Sequence, residues 1–245
     1  MSALHLVRLC YHPSALLRFG HEQRLLEHDD ETHGYLLHAW LTALFGSFAP
    51  RPFRHIESRC EVLGYADVDA LHLQEHALAF AAPSVFRALQ KDTLATKPMP
   101  EVWREGFVFS FEVLAPPVVR TQKGVEKDAL LHALDCLGDQ APERGTPQLR
   151  TLREQTYCKW LLQQMGESAV LEQLFLAGFA RRRLMRRRHD AGRSHHTIER
   201  PVALFQGQGR IRDPQAFSRL LRRGIGRHRA FGMGMLLLSP PKRER

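Results

Sequence analysis

Apolar and polar positions alternate over residues 4–11, and this period of two predicts a β-strand. Over residues 31–48 the apolar positions recur three and four apart, which predicts a helix with one buried face: Leu37, Trp40, Leu41 and Leu44. Weaker patterns predict a strand over residues 60–65 and a short helix over residues 83–89. Two prolines near residue 100 predict that residues 91–100 form a linker or a loop.

The second half has a clearer order. Strand patterns cover residues 107–113 and 231–238, and a helical pattern covers residues 152–165. Residues 177–189 and 198–205 flank a turn signal, Asp190-Ala191-Gly192, and a further helix begins after Asp213 and Pro214. The order strand, helix, strand, strand, helix, strand is typical of a ferredoxin-like domain, an arrangement that RRM modules share.

The first half begins with a strand and a helix, which allows a second copy of the same arrangement. The sequence therefore predicts an α+β protein with two tandem ferredoxin-like (βαββαβ) domains, over residues 1–100 and 101–245. A chain of 245 residues is long enough for two domains of this size.

The net charge of +9 is distributed unevenly along the chain. Residues 1–149 carry 14 Lys and Arg against 19 Asp and Glu. Residues 150–245 carry 21 Lys and Arg, almost all of them Arg, against 7 Asp and Glu. The planar guanidinium binds two phosphate oxygens at once, so the second domain is predicted to bind nucleic acid. No apolar run is long enough to span a membrane and no signal peptide is evident, which predicts a cytoplasmic protein without a membrane partner.

Six arginines lie within eight positions: Arg181, Arg182, Arg183, Arg186, Arg187 and Arg188. Around a helix they would surround the axis, and on a strand they would occupy both faces, so in either form this segment cannot pack into a core. It should project into solvent or toward RNA phosphates, either as a hairpin arm or as a helical finger, and the pattern leaves both forms open. A steep loss of RNA affinity with added salt is the expected consequence.

A glycine-rich segment lies between the last helix and the last strand. Glycine backbones can approach a ligand closely, and exposed amide groups in such loops bind phosphate. The predicted RNA-binding residues in and before this segment are Arg222, Arg223, Gly224, Gly226, Arg227, Arg229, Gly232 and Gly234. On spacing alone, the glycines could equally serve a tight turn and close strand packing.

Four stretches in this region carry a family resemblance: residues 202–207, Asp213-Pro214, residues 221–226 and residues 229–236. Their order and spacing resemble the C-terminal signature of CRISPR RNA-processing endoribonucleases of the RAMP superfamily. The pattern is most similar to the CasE branch of subtype I-E, and a type IV processing nuclease would look similar. The resemblance implies two ferredoxin-like domains.

The resemblance also implies an activity: cleavage of CRISPR repeat RNA at the 3′ side of a hairpin, without metal or cofactor, leaving a cyclic phosphate. The product would stay bound within a larger complex with other CRISPR subunits. In the CasE-like branch a Tyr and a His three residues apart lie on the first helix, and Tyr35 and His38 fit that placement. Residues three apart share a helix face, and histidine can accept or donate a proton near neutral pH.

Alternatives remain at this point. His38 could be a structural histidine, with His21 and His33 as further candidates, or arginines alone could stabilise the reacting phosphate. A binding subunit that holds the repeat stem-loop without cutting it is the main alternative function. Metal binding is not expected, because His28, His33 and His38 are five residues apart and the four cysteines are scattered.

Overall fold

The computed structural model describes residues 3–26, 33–121, 124–187 and 195–241. The first half forms an antiparallel four-stranded sheet in the order β2-β3-β1-β4. Its strands are β1 (His5–Tyr11), β2 (Phe53–Ile56), β3 (Glu61–Ala66) and β4 (Leu89–Pro98). Its helices are α1 (Pro13–Glu22), α2 (Gly34–Phe45), α3 (Ala70–Phe80) and α4 (Pro83–Phe86). This strand order is that of a ferredoxin-like sheet.

The second half repeats the architecture in the order β10-β5-β9-β8. Its strands are β5 (Val108–Ala115), β8 (Ala169–Arg187), β9 (His195–Ile211) and β10 (Leu236–Ser239), with α6 (Pro147–Met165) and α7 (Pro214–Arg223) as its main helices. An insertion after β5 adds the hairpin β6 (Val118–Arg120) and β7 (Glu126–Asp128) and the helix α5 (Ala129–Leu137). The prediction of two tandem ferredoxin-like units is confirmed.

The helix and strand ends follow from local chemistry. Asp213 precedes α7, and its carboxylate accepts the backbone N–H groups of Gln215 and Ala216 at 2.8 and 2.9 Å, as a capping residue should. Thr146 caps α6 in the same manner through Leu149, so this helix begins five residues before the predicted start. Each half buries its own apolar cluster between sheet and helices.

Two expectations for segments were wrong. Residues 91–100 do not form a linker, because most of them belong to β4, which pairs with β1 at the edge of the first sheet. An edge strand tolerates proline at its end, where the missing N–H breaks no ladder. The last strand begins at Leu236 rather than at residue 231, since Gly232 and Gly234 both have a φ of +76° and the chain turns there.

The two halves are joined by specific contacts. The Tyr65 hydroxyl on β3 donates a hydrogen bond of 2.8 Å to the carbonyl oxygen of Leu236 on β10. Arg54 on β2 lies 3.5 Å from Glu112 on β5, and Leu4 and Tyr65 pack into the apolar cluster of the second half. The two sheets therefore share a packed interface.

Candidate active site

The glycine-rich loop, residues 224–234, follows α7 and folds back on itself. The Ile225 N–H donates to the Gly234 carbonyl at 2.8 Å, and the Gly234 N–H donates to Leu114 on β5 at 2.7 Å. Gly234 is buried at positive φ, and a side chain there would overlap the Ile225 carbonyl oxygen. Gly232 is likewise buried, against Phe53. Gly224 is also buried at positive φ, close to the Gly234 carbonyl oxygen and Pro52, and Gly226 is half-buried against Trp160. Both of these glycines line an adjoining cleft.

The start of α2 rests on this loop. A side chain at Gly34 would overlap the backbone oxygen of Phe231, so the helix and the loop are in direct contact. The ring of the next residue, Tyr35, stacks on Phe231 with centroids 6.1 Å apart and planes at 28°. Tyr35 and His38 lie on α2, the second helix, and not on the first helix as the resemblance implied. The start of α2 in the first half is thereby fixed against the glycine-rich loop of the second half.

His38 lies one turn after Tyr35 and is half-buried. Burial lowers the pKa of His38, and the positive charge of Arg51 lowers this pKa further. Histidine in this environment is neutral near pH 7 and can accept a proton. Of the two further candidates, His33 precedes α2 in a left-handed conformation and His21 is exposed in the last turn of α1.

An open cleft of about 620 Å³ lies beside the loop. Its lining includes Arg51 from the first half and Arg223, Arg227 and Arg229 from α7 and the loop. The lining also includes Val118, Glu126, Trp160 and Gln164. Tyr35 and His38 flank this cleft and do not line it: Tyr35 contacts the lining residue Phe231, and His38 is electrostatically coupled to the lining residue Arg51.

Glu126 compensates part of the positive charge. Its carboxylate pairs with Arg227, lies 3.5 Å from Arg200 on β9, and lies 3.6 Å from the Nε2 atom of His228. Burial alone would raise the pKa of Glu126, but the hydrogen bond from Arg227 and the charges of His228, Arg227 and Arg200 outweigh it and lower that pKa. Arg222 is compensated elsewhere, since it pairs with Asp67 after β3.

The arginine-rich segment is a β-hairpin, which decides between the two forms that the sequence left open. We call residues 181–187 of β8 and 195–200 of β9 the basic arm. Arg181, Arg182 and Arg183 are exposed, and Arg181 pairs with Glu199 across the hairpin at 2.9 Å. Arg186 and Arg187 lie on β8 in register with His196 and His195, and Arg188 lies outside the described residues, as does the predicted turn at residues 190–192.

The described part of the chain contains neither a candidate metal site nor a candidate membrane-spanning helix. Within it, no three His, Cys, Asp or Glu side chains are grouped so that they could hold a metal ion. None of the helices described is both long and apolar enough to span a membrane.

Comparison with known proteins gives one matching family and several solved structures with a similar fold. The family model described as CRISPR associated protein matches residues 4–240. No curated protein sequence matches the chain significantly. The chain resembles Thermus thermophilus Cse3 bound to an RNA representing a pre-cleavage complex, with TM-score 0.60 and 18% identity over 97% of this chain and 100% of the other.

Two further solved structures are similar over their whole length. The CRISPR-associated protein Cas6e from Escherichia coli K-12 matches with TM-score 0.53 and 16% identity, over 97% of this chain and 100% of that one. A chain of a CRISPR RNA-guided surveillance complex in a pre-nicking state matches with TM-score 0.57 and 16% identity, over 96% and 100%. At these identities the likeness concerns the fold.

Proposed function

We propose, from the premise that this chain belongs to the CRISPR-associated protein family, that it is an endoribonuclease that binds and processes CRISPR repeat RNA. One observation carries the proposal: the Tyr35–His38 face of the first half and the glycine-rich loop of the second half meet beside one cationic cleft. The fold is shared with the CRISPR endoribonuclease Cse3 and with the CRISPR-associated protein Cas6e.

RNA binding is assigned to two surfaces. The basic arm projects exposed arginines that fit the phosphates of a repeat stem, since A-form RNA is recognised mainly through its backbone and shape. The cleft, with Arg223, Gly224, Gly226, Arg227 and Arg229 in its wall, receives the strand at the 3′ side of the hairpin. After cleavage the arm continues to hold the stem, so the product stays bound and enters a complex with other CRISPR subunits.

The cleavage step uses the RNA's own 2′-hydroxyl. Its proton passes to neutral His38 as the 2′ oxygen bonds to phosphorus, and the bond from phosphorus to the 5′ oxygen breaks. The 5′ oxygen takes a proton from water, giving a 2′,3′-cyclic phosphate and a 5′-hydroxyl, and His38 then returns its proton to solvent. Tyr35, held by its stacking on Phe231, orients the ribose. No metal or cofactor takes part in this scheme.

The proposal is tested with purified protein and a repeat RNA in EDTA. We expect cleavage of the all-ribose RNA, with a product whose cyclic phosphate is opened by mild acid, and no cleavage of RNA that has a single 2′-deoxy substitution at the cut site. Binding of both RNAs with cleavage of neither would instead identify a non-cleaving stem-loop-binding subunit. Cleavage of the deoxy RNA would contradict attack by the 2′-hydroxyl.

The contact between α2 and the glycine-rich loop gives a second prediction. Gly34→Ala favours helix formation intrinsically but places a methyl group against the Phe231 carbonyl, so we expect about a tenfold slower single-turnover cleavage as Tyr35 shifts. Ala43→Gly, at an exposed position of the same helix, costs about 1 kcal/mol of helix stability and should leave the rate nearly unchanged. Equal cleavage rates for Gly34→Ala and the wild type would mean that the contact between α2 and the loop does not contribute to catalysis.

A further inference from the structure

Three arginines in the cleft wall have no acidic partner in the part of the chain that the structure describes. Arg51 lies between α2 and β2, Arg223 ends α7, and Arg229 belongs to the glycine-rich loop; we call them the cleft arginines. Within the described residues none of the three pairs with a carboxylate, whereas Arg227 pairs with Glu126 and Arg222 with Asp67. The structure thus divides arginines that look equivalent in the sequence into compensated and uncompensated ones.

The cleft arginines are close enough to influence one another. Arg229 donates a hydrogen bond to the Arg223 carbonyl oxygen, which holds its side chain beside α7. Burial lowers the pKa of Arg229, and the charges of Arg51 and Arg223 lower it further. Three like charges held together in this way raise the free energy of the empty site, and a bound anion relieves that repulsion.

Arg51 differs from the other two because it comes from the first half of the chain. Its backbone is fixed, since its N–H donates to the Tyr65 carbonyl at 2.7 Å and the next carbonyl, that of Pro52, accepts from Tyr65 at 3.0 Å. Its charge acts on His38 as well as on Arg229. Arg51 is therefore a residue of the cleft lining whose charge acts both on the candidate proton acceptor and on another cleft arginine.

We propose that the cleft arginines hold the scissile phosphodiester and that Arg51 stabilises the charge it gains during cleavage. This inference rests on the proposed function and adds Arg51, which the motifs do not indicate, as a catalytic residue. The phosphodiester carries one negative charge before attack and two when phosphorus is bonded to five oxygens, and the cyclic product again carries one. A guanidinium at this position binds the doubly charged state more tightly than the substrate, which is the requirement for a rate effect.

Arg51→Gln is expected to lower the single-turnover cleavage rate at saturating enzyme by about 10- to 100-fold, with RNA affinity lowered by less than about tenfold, since it removes one of many phosphate contacts. Arg51→Lys keeps the charge and should recover part of the rate. Arg104→Gln removes an equal charge from an exposed position away from the cleft and should cleave as the wild type does. If the wild-type protein cleaves RNA and Arg51→Gln cleaves it at the same rate, the inference is overturned and the proposed function is left intact.

A second measurement does not depend on cleavage. In the RNA-free protein, the His38 imidazole is titrated by NMR, with Arg51→Gln, Arg51→Lys and wild type compared and His38→Gln used to assign the signal. We expect a higher His38 pKa in Arg51→Gln only. Inorganic phosphate should raise the His38 pKa of the wild type by occupying the cleft arginines, and should have little effect on Arg51→Gln. If phosphate shifts neither protein, the cleft arginines are not an anion site, whether or not the protein cuts RNA.

Discussion

Replacing His38 with Ala is expected to slow single-turnover cleavage of repeat RNA by about 10²- to 10⁴-fold, the usual contribution of a positioned proton-transfer group. RNA affinity should stay within about twofold, because the arm and the cleft wall are untouched. The size of the effect follows from the placement of His38: it is half-buried on α2, one turn from Tyr35 and within the field of Arg51.

The rate comparison uses enzyme in excess over end-labelled RNA, so that product release does not limit it. Tyr35→Phe keeps the ring that stacks on Phe231 and removes only the hydroxyl, which separates positioning from proton transfer. His132→Ala, at an exposed position of α5, is the matched control and should cleave normally. Wild-type cleavage by His38→Ala would discard this residue and return attention to His33, at the start of the same helix.

The pH dependence provides an independent check on the same residue. Burial and Arg51 lower the pKa of His38 below its usual value of about 6.5. If neutral His38 accepts the 2′-hydroxyl proton, cleavage rises with pH through this lowered pKa and levels off above it. His38→Ala should lose this acidic limb. A rate that falls as pH rises through the same range would assign His38 as the proton donor instead.

The sequence predicted the architecture well where periodicity was strong. The Asp213 cap, the strand over residues 4–11 and the helix around Trp40 are local features, and the structure contains each of them. It missed α3 and α5, and it misread β4 as a linker, because Pro98 suggests a break when the strand partner is unknown. Edge strands depend on pairing with distant residues, here β1, and no local pattern reports that pairing.

The candidate site was predicted in part for the same reason. Tyr35 and the glycine-rich loop carry patterns that can be recognised along the chain, and the structure brings them into contact through Phe231. Arg51 and Glu126 have no such pattern. Their importance lies in which charges remain uncompensated, and that depends on contacts across the fold: Glu126 neutralises Arg227, while Arg51 lacks an acidic partner among the described residues.

The basic arm should account for much of the affinity for the repeat stem. The triple substitution of Arg181, Arg182 and Arg183 by Ala removes three exposed cations from β8. Each phosphate contact contributes about 0.9 to the slope of log K against log salt concentration. This slope corresponds to about an eightfold gain in affinity per contact when the salt concentration falls from 1 M to 0.1 M. We therefore expect affinity at 0.1 M salt to fall on the order of 100-fold and the salt slope to decrease by roughly two to three.

The Arg181–Glu199 pair allows a complementary test, in which a substitution is expected to raise the affinity for the stem and not to lower it. Both side chains are about half exposed, so the pair itself adds little stability, yet Glu199 competes with phosphate for Arg181. Glu199→Gln should therefore bind the stem more tightly than the wild type, while the triple variant binds it more weakly. Fluorescence anisotropy at several salt concentrations measures both. Parallel salt slopes for the wild type and the triple variant would mean that the stem does not lie along the arm.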